Sequence, residues 1–408
     1  MSINFPWLSM ALKNAMRNRR RSLVTLAIAA TGTAAALLGG GFALHTYQSL
    51  AQAAARETGH VIVGAPQSFD GVENAPLEHG LEDSGAVTQR LLALPEVRRV
   101  LPRLQFSGLI SNGERSEIFV GTGVDPMQEF LVKGPFMQRV SGELLDAVPE
   151  GQGPGIVLGK TLARTLNAEP GSSLTLMSST VSGSLSAVDV TVTGIVTTGI
   201  TDLDKRLAVV DIATAQTLLA TRKVSSLGVY LNELEDSGRV AGQLRGDRAI
   251  EVRSWLDLAQ FYQSVKGLYN RIFGFLGVIV LVIVLFAVTN TLAMAVLERT
   301  REIGTLRAMG ATPREVMKVF TLEGLSLGAG GAVAGMAAAA GIAFLLVFLG
   351  IQMPPPPGRS GGYPLVVVIS PLMFAVAALA VTLLSGLASF LVSRKAARQS
   401  VVEALSHV

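Results

Sequence analysis

The chain has 408 residues, of which 49% are hydrophobic and only 16% charged, with a formal net charge of +4. That balance is too apolar and too charge-poor for an ordinary soluble enzyme and describes an integral membrane protein with a large soluble part. There is no cysteine, which excludes disulfide staples and thiolate metal sites. The cations gather at the edges of apolar runs, so the basic balance speaks for membrane topology rather than nucleic-acid binding.

In residues 1–21, Trp7, Leu8, Ala11, Leu12, Ala15 and Met16 recur at helical spacing among Lys13, Arg17 and Arg19 to Arg21. This predicts an amphipathic helix in the cytoplasmic interface. The charge-free run that follows predicts a first span over 22–45, and Ser22 to Leu44 reaches about 34 Å as a helix. A cleaved signal peptide is the competing reading, but its apolar region runs to only about 7–15 residues, so an uncleaved anchor is preferred.

Residues 46–269 have the composition of a soluble α+β domain, large enough to bury its own core and expected to form two lobes. Its first part predicts a strand at Val61 to Val63, a helix near Ala86 to Leu94, and a hairpin of Arg103 to Ile110 with Ser116 to Gly121 across Asn112-Gly113. The second part predicts strands at Ile156 to Leu158, Ser173 to Met177, Val188 to Val196 and Ser226 to Leu231. Helices are expected at Lys160 to Leu166, Thr214 to Ala220 and Leu234 to Leu244. Gly153 to Thr161 resembles a phosphate-binding loop, yet the position five before Gly159 is Pro154, so the glycine spacing fails. Strand–turn–helix scaffolding is the better account of that stretch.

No catalytic or metal-binding constellation emerges. His45, His60, His79 and His407 lie far apart, and no Gly-x-Ser-x-Gly turn occurs. Further spans are predicted at 270–297, 320–349 and 371–393, with a cytoplasmic segment at 298–319, a short outer loop at 350–370 and a tail at 394–408. The outer loop carries only Arg359, whereas both ends of the chain are basic, so both termini are placed inside. The third span holds Gly324, Gly328, Gly331 and Gly335, pairs at four-residue spacing that let helices approach closely, either within the chain or at a subunit interface. Glu323, at its start, is expected at the headgroup level.

The segment between the second and third spans is the most informative. Ile303, Leu306 and Met309 repeat every three residues, Gly310 is placed to end a helix, and Thr312-Pro313-Arg314-Glu315 spells a capping box that starts another. With Arg299, Arg301, Arg307, Arg314 and Lys318 it lies on the cytoplasmic side. Such a helix suits either rest on lipid or contact with a soluble partner.

The run Glu298-Arg299-Thr300-Arg301-Glu302-Ile303-Gly304-Thr305-Leu306-Arg307-Ala308-Met309-Gly310-Ala311 closely resembles the signature of FtsX-like permeases. These are membrane subunits of ABC transporters that include the macrolide-exporter (MacB-like) and lipoprotein-release types. The basic entry from Asn14 to Ser22, the tail with Val402 to Leu405, and the order of one span, a large domain and three spans resemble the same family. The resemblance implies that Glu298, Arg299, Arg301, Glu302, Ile303, Leu306, Arg307, Met309 and Gly310 form a coupling helix that docks on an ATPase.

It further implies two copies of an ABC ATPase subunit, with ATP and Mg bound there and no cofactor on this chain. A second permease subunit, identical or different, would complete a dimer in a Gram-negative inner membrane. The implied activity is mechanotransmission: ATP-driven work on the periplasmic side. Lipoprotein or lipid extraction is the favoured cargo, with a possible periplasmic carrier or adaptor. Efflux of drugs or peptides and regulation of cell-wall hydrolases without transport are the alternatives.

Overall fold

A computed structural model describes residues 19–69, 77–134, 137–145, 153–353 and 363–397. The expected N-terminal interfacial helix before Arg19, the proline segment after Met353 and the tail after Ala397 lie outside the described residues, as do the side chains of Glu302 and Leu306. Two compact units divide the chain: Ser49–Ser264 with Met353–Tyr363, and Met1–Gln48 with Val265–Gln352 and Pro364–Val408.

The soluble unit holds ten strands. In chain order these are β1 (Val61–Gly64), β2 (Val97–Ser111), β3 (Ser116–Val124), β4 (Gln138–Gly142), β5 (Gly155–Gly159), β6 (Ser173–Ser179), β7 (Leu185–Thr197), β8 (Leu207–Asp211), β9 (Ser226–Leu231) and β10 (Glu251–Ser254). They hydrogen-bond in the order β10-β1-β9-β2-β3-β8-β5-β7-β4, while β6 pairs with both β7 and β2. The β6–β2 pairing, with Leu109 opposite Met177, closes β2, β3, β8, β5, β7 and β6 into a ring. Closure removes open edges from that part of the sheet.

The two largest apolar cores of the soluble unit follow from this layout. Alternating residues of the ring, among them Phe106, Ile110, Phe119, Ile156, Leu158, Leu174, Leu176 and Val190, point into one core. The second gathers Val61, Val63, Val100, Leu227, Val229 and Val252 on the outlying strands. Strand β2 serves both: Val97 to Arg103 pairs with β9, and Leu104 to Ser111 pairs with β3. The β2–β3 hairpin has a four-residue turn rather than a two-residue one, because the side-chain Oδ1 of Asn112 accepts from the N–H groups of both Glu114 and Arg115, at 2.9 and 2.7 Å.

At the phosphate-loop look-alike, β5 runs into a short helix, as expected. A Cβ on Gly159 would lie 2.5 Å from the Asp204 carbonyl oxygen, so backbone already fills the space beside this glycine.

The other described elements are twelve α-helices, one 3-10 turn at Leu234–Asp236 and a two-stranded pairing of Gln352–Met353 with Tyr363–Pro364. The ends of the first, α1 (Arg19–Thr58), and of the ninth, α9 (Gln260–Glu298), extend past the predicted span limits of 45 and 270. The composition turns polar at Thr46, but Leu50, Ala51, Ala54 and Ala55 keep an apolar face that packs near Trp255 and Tyr262 within the soluble unit. Helical hydrogen bonding therefore continues until Gly59, whose φ of +113° and close approach to Gly228 both require glycine.

Between α1 and α9 lie α2 (Ser84–Leu92), α3 (Pro126–Lys133), α4 (Lys160–Thr165), α5 (Thr201–Asp204), α6 (Ile212–Leu219), α7 (Ser237–Leu244) and α8 (Trp255–Leu258). After α9 come α10 (Thr300–Ala308), α11 (Pro313–Leu349) and α12 (Pro371–Ala397). Helices α1, α9, α11 and α12 are long and apolar enough to cross a membrane.

Candidate coupling site

In the membrane unit, α9 ends at Glu298, Arg299 breaks the helical run, and α10 starts at Thr300. The Thr300 hydroxyl donates to the Leu297 carbonyl at 2.7 Å, which satisfies a terminal acceptor of α9 at this break. Gly310 closes α10 in the left-handed region at φ +103°. The capping box then opens α11: Glu315 N–H donates to the Thr312 hydroxyl at 3.4 Å, and Thr312 N–H donates to the Glu315 carboxylate at 2.8 Å. The helix–stop–restart read from the sequence is present residue for residue.

Ile303 and Met309, expected on one apolar face, do not share it. Ile303 is buried among Val296, Val316 and Ala397, against Met317, Phe320 and Val392. Met309 is 72% exposed. The reason is geometric: each step of three residues falls about 60° short of a full turn, so two such steps fan over about 120°. Ile303 therefore seats α10 on its own chain, while Met309 turns outward with Arg301. Glu298 and Gly310 are also exposed, and Arg307 is half-buried.

Arg299 does not join the outward set either. It is buried, and its Nη1 lies 3.3 Å from Oε2 of Glu323, itself only 6% exposed. At Glu323, expected at the headgroup level, the carboxylate is enclosed by protein and faces a guanidinium. Two charges removed from water persist when paired and hydrogen-bonded. The pair fastens the α9–α10 junction to α11 across 24 residues of sequence.

The four glycines of α11 divide between two neighbours in the same chain. A Cβ on Gly324 or Gly328 would overlap Ser389 or Ser385 of α12, and one on Gly331 or Gly335 would overlap Ala29 or the Ala30 carbonyl of α1. Of the two uses expected for these residues, the geometry shows packing within one chain. The facing stripe on α12, Ser385, Ser389 and Ser393, is almost fully buried, and Ser389 donates to the Phe320 carbonyl at 2.5 Å. Sequence reasoning passed over these serines, although small residues at four-residue spacing opposite a glycine stripe carry a readable signal.

Four candidate spans, a mixed sheet domain inserted between the first and second, and a short helix clamped between the second and third describe a multi-span membrane protein. Residues 22–247, more than half of the chain, match the MacB-like periplasmic core domain, and residues 274–401 match the FtsX-like permease C-terminal region. The chain belongs to this MacB-like, FtsX-like permease family.

It is similar to the lipoprotein-releasing system transmembrane protein LolC of Neisseria meningitidis serogroup B, 28% identical over 61% of this chain and 57% of LolC. It is also similar to LolE of Haemophilus influenzae, 26% identical over 61% of each. The matched stretch thus spans less than two thirds of these relatives. A shorter stretch, 26% of this chain, is 28% identical to 17% of the macrolide export ATP-binding/permease protein MacB of Hyphomonas neptunium. The crystal structure of the periplasmic region of MacB from Actinobacillus actinomycetemcomitans superposes with a TM-score of 0.36 at 16% identity, covering 51% of this chain and 95% of that one.

Proposed function

We propose that this chain is the membrane subunit of an ABC transporter and that α10 receives displacement from a separate ATPase. The observation that carries the reading is how α10 is mounted. Ile303 and the Arg299–Glu323 pair fix its inner side, while Met309 and Arg301 stand outward. A helix held rigidly on one side and open on the other transmits a push instead of absorbing it.

In this reading α10 and both termini are cytoplasmic and the sheet domain is periplasmic in a Gram-negative inner membrane. Two ATPase copies, carrying ATP and Mg, and a second permease subunit complete the machine. Release of lipoprotein or another lipid-anchored cargo is favoured by the names of the relatives LolC and LolE, which match over 61% of this chain. The MacB-like core domain supports a second reading, efflux of a drug or peptide through a periplasmic adaptor.

The test is Met309→Asp. Placing a carboxylate in an apolar contact costs several kcal/mol unless it protonates, and a loss of about 3 kcal/mol weakens association more than a hundredfold. Purified from its native membrane, the parent chain is expected to bring ABC-type ATP hydrolysis with it and the variant to lose it while still inserting. Undiminished hydrolysis with the variant contradicts the proposal.

A further inference from the structure

The last turn of any α-helix leaves carbonyls without intrahelical partners. At the end of α1, inside the soluble unit, two of these are met by buried side chains from the sheet. Arg103 Nη1 donates to the Glu57 carbonyl at 2.6 Å, and the Tyr230 hydroxyl donates to the Arg56 carbonyl at 3.0 Å. The guanidinium also makes a forked pair with Glu129 of α3, Nε to Oε2 at 3.2 Å and Nη2 to Oε1 at 2.8 Å, and Nη2 reaches the Tyr230 oxygen at 2.6 Å. Lys133 Nζ lies 3.6 Å from carboxylate oxygens of both Glu129 and Glu57, which ties α3 to α1 a second time.

Position matters as much as bonding. Arg103 is the last residue of β2 paired with β9, and Leu104 is the first paired with β3. The guanidinium therefore sits where the outlying strands meet the closed ring, with Tyr230 on β9 and Glu129 on the helix that follows β3. Burial pushes the Tyr230 hydroxyl up to about 12 against the pull of Arg103, so it stays protonated and able to donate. Burial alone would lower the Arg103 guanidinium, but Glu129 and Tyr230 outweigh it and the charge is held.

We infer that Arg103, Glu129 and Tyr230 form a rigid joint that fixes the height and rotation of the end of α1 on the sheet, so that a displacement of this helix moves both lobes together. An apolar contact holds a helix end against a surface but lets it slide and turn, whereas bonds to two specified carbonyls do not. A buried ion pair is also a poor device for stability alone, since apolar residues of similar volume hold a fold as well. Use of the joint in transport rests on the function proposed above; its rigidity does not.

Because the chain has no cysteine, spin labels placed on Gln52→Cys and Glu114→Cys, both exposed positions, report the distance from α1 to the ring. The labelled full-length chain is diluted with unlabelled chain in lipid discs, with and without its ATPase and trapped nucleotide. The parent chain is expected to give one narrow distance that nucleotide leaves in place. Replacing the pair together, Arg103→Met with Glu129→Met, is expected to keep the thermal midpoint while broadening the distribution about twofold as the helix end loosens.

Tyr230→Phe, which loses one hydroxyl and no charge, is expected to broaden it as well and stands in if the double variant fails to fold. A parent distance that shifts with nucleotide, or an unchanged width in the folded variants, overturns the joint. Loss of ATPase binding by the parent chain would instead count against the function proposed above.

Discussion

Arg299 and Glu323 show how a single pair decides what a motif does. Arg299 was legible as part of a basic signature, but its carboxylate partner was not, because nothing in the sequence says that a residue 24 positions away folds back onto it. The apolar surroundings that bury both are equally non-local. Glu323→Gln keeps the shape and removes the charge facing the guanidinium. Breaking a buried pair from one side costs about 3–5 kcal/mol, so the thermal midpoint of the detergent-solubilised chain is expected to fall by more than for Arg301→Gln, which alters an exposed cation. Equal midpoints for the two variants would mean that the pair does not fasten α10 to α11.

At the scale of elements, local grammar was read well and its consequences less well. The helix stop at Gly310 and the capping box of Thr312 and Glu315 are fixed by neighbours in sequence, and both stand as expected. Ile303 and Met309 do not share one face because a three-residue repeat drifts around a helix. Helix α3 was missed although Asp125-Pro126 is a readable start: the Asp125 carboxylate accepts from Met127 N–H, and Pro126 needs no donor. Strand β4 is exposed along its whole length and offered no apolar alternation to find.

The glycines of α11 make a sharp contrast between packed and open positions. A Cβ on Gly331 meets Ala29 and the Leu26 carbonyl, whereas none of the atoms around Gly341 comes within 4 Å. Overpacking costs about 1–3 kcal/mol or more where backbone must move. Gly331→Leu is therefore expected to lower the thermal midpoint clearly and Gly341→Leu to leave it near the parent value. Similar midpoints would show that α1 and α11 do not rely on this close approach.

For the whole molecule, the order of one span, an inserted domain and three spans was legible from apolar runs and cation placement, because the bilayer imposes long uniform segments that survive as composition. The closed ring was not, since it depends on β6 pairing with β2 and on β2 serving two sheets, contacts that no local pattern announces. The ends of α1 and α9 were not legible for a related reason: both helices run on after the composition has changed.

If α10 meets an ATPase with its outward side, a single cysteine introduced into this naturally cysteine-free chain can capture the contact. With a short bifunctional thiol–amine reagent applied to the transporter in its own membrane, Met309→Cys is expected to become joined to the ATPase chain and Ile303→Cys, buried against the bundle, is not. Bridging from Ile303→Cys alone, or from neither position while the ATPase remains bound, would contradict the account.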